Sequence, residues 1–148
     1  MNLIIEESKY VNFYTDMTQV MCWLGDVCSE YDWLITDIDG GWVGIEDPCL
    51  ITGEELKLKL AESDWQFIWA VFSALPKGAN PKVTHEPYAD GNANLWKGTP
   101  TPQLKEALFE IVCWDSSATL FIGLPQPLGK RLVEAVPDIK NLNEMNQG

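Results

Sequence analysis

Basic residues are scarce in this chain. Lys and Arg number 10 among 148 residues against 22 Asp and Glu, for a net charge of −12, which excludes a broad basic surface for nucleic acid or anionic membrane. Histidine occurs once, at His85, and the four cysteines, Cys22, Cys28, Cys49 and Cys113, form no Cys-x-x-Cys pair. A structural zinc set is therefore not expected, and no cofactor is. No apolar run approaches the ~20 residues that a membrane-spanning helix needs. Residues 1–7 pass from a short apolar run directly to acids, without the basic start and cleavage site of a signal peptide. These absences predict a cytoplasmic protein with reduced thiols, its cysteines serving as small buried hydrophobes.

What is present is a 46% hydrophobic chain of the size of one domain, large enough to bury a core without disulfide or metal. Leu3 to Glu7 reads as a first strand. Asp16 and Gln19 have capping-box spacing, and Met17, Val20, Met21, Leu24, Val27, Cys28 and Tyr31 recur along one helical face. Trp33 to Ile38 and Trp42 to Ile45, separated by Asp39-Gly40-Gly41, read as a β-hairpin with Trp33 and Trp42 as neighbours across the turn. Thr52 with Glu55, and Ile51 with Leu56, supply a capping box and a hydrophobic staple for a second helix running to about Glu62.

Trp65 to Leu75 is apolar on both alternating faces, as in a central strand covered on each side, and Trp65, Phe67, Trp69 and Val71 are expected to share one face. Residues 76–102 are rich in Pro, Gly and Asn and read as one long loop holding His85, Tyr88 and Trp96. Leu108 to Trp114 and Thr119 to Leu124 form a second hairpin about Asp115-Ser116-Ser117, and Pro127 opens a last helix with Leu128, Leu132 and Val136. Residues 141–148 are polar and expected to fray. The order predicts one α+β domain over residues 1–148: a sandwich with a mostly antiparallel sheet and about three helices packed mainly on one face.

Charge is distributed unevenly. Residues 1–74 hold 14 acids and 3 bases, residues 75–148 hold 8 acids and 7 bases. Asp32, Asp37, Asp39, Glu46 and Asp47 fall in one stretch beside Trp33 and Trp42, and acids with aromatic anchors suit the steering and holding of a basic protein. The competing reading is a solvated face that maintains solubility.

Two resemblances bear on function. The segment Leu34-Ile35-Thr36-Asp37-Ile38-Asp39-Gly40-Gly41 resembles the first motif of haloacid-dehalogenase-type phosphatases. That resemblance implies Asp37 as nucleophile, Asp39 as acid/base and magnesium ligands from the motif, although Gly41 replaces the family's Thr and no Gly-Asp-x-x-x-Asp follows. The residues themselves also suit a turn. A Cys–His pair of His85 with Cys49 or Cys113 has no nearby bases to stabilise a thiolate.

In size, acidity and organisation the whole chain resembles the immunity proteins that accompany bacterial contact-dependent or secreted polymorphic toxins. Tyr31-Asp32-Trp33-Leu34-Ile35, Gly53-Glu54-Glu55-Leu56, Phe67-Ile68 to Pro76 and Val112 to Ser117 are similar to stretches of bacterial proteins of this length. The resemblance implies a protein that is not an enzyme: a monomer or weak dimer binding one basic, nuclease-type toxin domain, with no direct contact to nucleic acid or membrane. Asp32, Asp37, Asp39, Glu46 and Asp47 would form its electrostatic face, and Trp33 and Trp42 its anchors. A small acidic secretion chaperone, recognised by dimerisation through a helix, is the alternative of a different class.

Overall fold

The computed structural model describes residues 1–147. Seven strands, β1 (Leu3–Glu6), β2 (Asp32–Gly40), β3 (Cys49–Thr52), β4 (Phe67–Leu75), β5 (Phe109–Trp114), β6 (Ala118–Ile122) and β7 (Lys140–Asn141), form one sheet in the order β3-β2-β4-β5-β6-β1-β7. Every neighbouring pair is antiparallel. Helices α1 (Met17–Trp23), α2 (Gly53–Leu60) and α3 (Gln126–Ala135) pack on one face, and a short α4 (Leu142–Gln147) follows β7. The α+β sandwich expected from the element order is the fold observed.

The helices begin where their caps place them. The Asp16 carboxylate accepts from the Gln19 N–H at 3.2 Å, and the Thr52 hydroxyl from the Glu55 N–H at 3.2 Å. Helix α1 is shorter than its apolar stripe suggested, because Gly25 (φ 85°) ends it. Gly25 N–H donates to the Cys22 carbonyl and Asp26 N–H to the Met21 carbonyl, at 3.0 and 2.9 Å, the paired bonds of a Schellman termination. Val27 and Cys28 continue the buried stripe from a 3-10 turn over Val27–Glu30. Gly53 at the start of α2 lies so close to that turn that a β-carbon there would collide with the Cys28 and Tyr31 carbonyl oxygens.

The first hairpin is wider than the Asp39-Gly40-Gly41 signal implied. Strand β2 runs through those residues to Gly40, residues 41–48 form the loop, and the returning strand is β3, with Trp33 opposite Ile51 and Ile35 opposite Cys49. Trp42 to Ile45 is thus loop, not strand. Trp33 and Trp42 are not cross-turn neighbours: Trp33 stacks edge-on against Tyr31 and Phe109, Trp42 against Phe67 and Phe72. The second hairpin keeps its expected turn, with Asp115 and Ser116 both at positive φ (50° and 52°) and Ser117 N–H bonded to the Trp114 carbonyl, the primed geometry that matches strand twist.

Strand β4 is an interior strand, as its two apolar faces predict, but its register shifts. Relative to each other, β2 carries an extra residue between Thr36 and Asp39, and β4 one between Phe67 and Trp69. Phe67 therefore enters the core under the helices, with Trp65 packed against the same layer, while Trp69 and Val71 pack on the opposite face, in place of the single face expected for all four.

The segment 76–102 lies across that opposite face. Ala89 and Leu95 are buried there with Val71, Val112, Leu120 and Ile122, and Leu104 packs with Leu34 and Leu75. Residues 141–147, expected to fray, are ordered instead: Asn141 pairs with Leu3, Leu142 is fully buried, and the Asn146 amide donates to the Leu95 carbonyl at 3.2 Å. Burying one leucine and tying one side chain to the 3-10 turn over Ala93–Trp96 outweighs the polar composition. Gly148 lies outside the described residues.

Candidate functional site

The acids singled out in the sequence gather along β2, the 41–48 loop and the open edge at β3, and they divide into two kinds. Three are engaged in holding the fold. Asp32 Oδ2 accepts from Gly78 N–H at 2.8 Å, and its Oδ1 lies 3.6 Å from Lys77 Nζ, which also pairs with Glu54. Asp37, at φ 53° in the β2 irregularity, accepts from the Ala89 and Asp90 N–H groups at 2.8 and 2.9 Å. Asp47 Oδ2 accepts from Ile38 N–H at 2.9 Å and closes the loop onto β2. Tertiary contacts thus engage Asp32 and Asp37, and closure of the 41–48 loop engages Asp47.

Asp39 and Glu46 are exposed and make no side-chain hydrogen bond among the described residues. Asp39 lies near the end of β2, Glu46 and exposed Asp47 precede β3, exposed Glu54 and Glu55 follow it, and the span from Asp39 to Glu55 contains no basic residue. Lys77 is the cation nearest this group in the ion-pair network: its bond to Glu54 holds the Glu54 carboxyl below its ordinary value and raises the lysine's own.

The expected aromatic anchors are not on this surface. Trp33 is fully buried, its indole N–H bonded to the Cys28 carbonyl at 2.9 Å, and Trp42 is 7% exposed. Both belong to the core because β2 and the 41–48 loop turn those side chains beneath the helices. The apolar groups that do face outward are Val43, 84% exposed in the loop, and Leu50, 53% exposed in β3. Sequence reasoning missed them because aliphatic residues in a β-prone run give no sign of which face is covered. A cavity of about 260 Å³ adjoins the β3 edge, lined by Asp32, Leu50, Ile51, Thr52, Glu55 and Ala79.

The other chemical candidates are dispersed. His85 is exposed and lines a cleft with Lys82, Thr84 and residues 103–106, whereas Cys113 is buried under the helices. Burial pushes the Cys113 and Cys49 thiols up and that of Cys28 up to about 12, which disfavours thiolate chemistry. Cys28 and Cys113 are the buried hydrophobes expected; Cys22 is exposed and Cys49 half-buried. Among the described residues, no group of three or more His, Cys, Asp or Glu is arranged to hold a metal ion, and no helix is long and apolar enough to cross a membrane. A cleft of about 420 Å³ opens between Tyr88, Asn94, Lys97 and Thr99 on the loop-covered side.

One carboxylate escaped the sequence reading. Glu110 on β5 is fully buried and accepts from the Ser73 hydroxyl at 2.6 Å and from the Gln103 and Leu104 N–H groups at 2.5 and 3.2 Å. Burial holds its carboxyl above the ordinary value against the pull of these three bonds. An acid inside the run Phe109-Glu110-Ile111-Val112 was the available signal.

Comparison of the chain with protein-family profiles, with curated proteins and with solved structures finds no match.

Proposed function

We propose that the protein is a stoichiometric inhibitor of the immunity type, cytoplasmic, which binds a basic toxin domain through the acidic edge of its sheet. The observation that carries this reading is the stretch from Asp39 to Glu55, which holds five exposed acids with the exposed Val43 and Leu50 and has no base of its own, Lys77 pairing with its Glu54 from outside. Acids at the rim accelerate encounter with a cationic surface and select against acidic partners, while apolar contact inside the rim slows dissociation. A nuclease-type domain presents Lys and Arg where its substrate phosphates bind, and carboxylates from Asp39 and Glu46 would occupy those cations in the phosphates' place.

The test is a double charge reversal, Asp39→Lys with Glu46→Lys, chosen because neither side chain holds the fold together. The tagged protein is used for capture from host lysate at low and high salt. One basic domain at equal stoichiometry, released by salt and lost with the double variant, is the expected result. Capture that is indifferent to both salt and charge reversal would overturn the reading.

A further inference from the structure

Strand β3 is the outermost strand on its side of the sheet. Among the described residues, no backbone hydrogen bond outside the regular elements is made by residues 49–52, so the outer side of this strand has no neighbour of its own. An open edge of this kind is a template for another strand. Its two sides differ: Cys49 and Ile51 are half-buried against the helix-covered core, whereas Leu50 and Thr52 are exposed toward the opposite side.

We propose that the basic partner docks by adding an extended segment to β3, with aliphatic and cationic side chains alternating along it. This deepens the inhibitor reading and rests on it. Successive residues of an added strand point to opposite faces. One set meets Cys49 and Ile51 and continues the core under the helices, so it is aliphatic. The other set lies over the 260 Å³ cavity, where Glu55 supplies an exposed carboxylate, Asp32 one that Gly78 N–H and Lys77 already engage, and Leu50 an apolar wall. A Lys or Arg fits that composition, its methylene stem along Leu50 and its charge at the acids.

Charge complementarity selects this occupant over a second copy of the chain. Antiparallel pairing of β3 with a second copy would bring Glu46 and Asp47 of each copy toward Glu54 and Glu55 of the other, and like charges across paired strands are destabilising. Charge thus disfavours self-pairing at this edge and favours a basic strand.

The probes are synthetic peptides of about six residues in which Val and Lys alternate, with two controls: a Val/Glu peptide, and a Val/Lys peptide of equal charge interrupted by proline. Amide hydrogen exchange of the full chain at low salt is the readout. The alternating Val/Lys peptide is expected to slow exchange within residues 49–52 by about tenfold or more, while neither control does. Leu50→Lys, a change at an exposed position, should weaken binding of that peptide by about tenfold. Equal binding of the proline-interrupted peptide, protection confined to other residues, or no binding at about 1 mM would each overturn strand addition. None of these would touch the inhibitor reading, which falls only if the captured domain ignores reversal at Asp39 and Glu46.

Discussion

The two faces of the sheet are covered by different means. On one, α1, α2 and α3 bury a continuous apolar layer that includes Met17, Leu24, Trp33, Leu56, Phe67, Phe109 and Leu132. On the other, the cover is an irregular segment with two smaller apolar clusters. That segment is fastened by side chains to its backbone: Thr36 donates to the Pro87 carbonyl at 2.7 Å, Asp37 takes the Ala89 and Asp90 amides, Glu110 takes those of Gln103 and Leu104, and the Asn2 amide donates to the Pro100 carbonyl at 2.7 Å. A helix satisfies its own backbone and needs only an apolar stripe to dock. A loop laid on a sheet brings unpaired N–H and C=O groups with it, so the sheet must supply polar partners.

This contrast sets the order of expected effects. Phe67→Ala, in the helix-covered layer against Trp42 and Phe72, should lose about 3–5 kcal/mol of stability in chemical denaturation and destabilise the whole domain cooperatively. Glu110→Ala removes the acceptor for two amides and a hydroxyl and should cost about 3 kcal/mol. If it cost no more than an exposed acid does, the account of the loop-covered face would be wrong.

Glu110→Gln sharpens the same point through pH. Because burial raises the Glu110 carboxyl in the folded state, its contribution to stability is complete below the ordinary glutamate range and declines as pH rises through the raised value. Thermal melts across this range should show the wild type losing stability relative to Glu110→Gln as pH increases.

Asp37→Ala should cost about 1–2 kcal/mol, and its signature is regional: faster amide exchange at Ala89 and Asp90 with little change in α1 or α2. Smallest is Asp16→Ala, about 1 kcal/mol from the lost cap of α1, read from the denaturation midpoint. A regional loss at Glu110 or Asp37 beside a global loss at Phe67 would confirm that the faces are held differently.

The same division governs what could be read from the sequence. Helix starts were legible at Asp16 and Thr52 because a cap is a local bond between residues three apart. The second hairpin was legible because Asp115 and Ser116 accept the backbone that its turn requires. The width of the first hairpin was not: nothing local distinguishes a glycine pair that turns the chain from one that accommodates a register shift, and pairing of β2 with β4 decided it. The acids show the limit most clearly. Asp32, Asp37, Asp39, Glu46 and Asp47 are equivalent in the sequence, yet three hold backbone groups brought from elsewhere in the chain or across the loop, and two are free at the surface.

By itself the sequence determined the class of the fold, its helix-covered face and the concentration of negative charge in the first half, since apolar periodicity, capping and charge are properties of neighbouring residues. The tertiary structure alone decided that Trp33 and Trp42 are core, that Val43 and Leu50 are surface, that Glu110 anchors the long segment and that β3 is an edge. Those assignments depend on which distant strand or loop covers each side chain, and coverage is set by packing across the sheet.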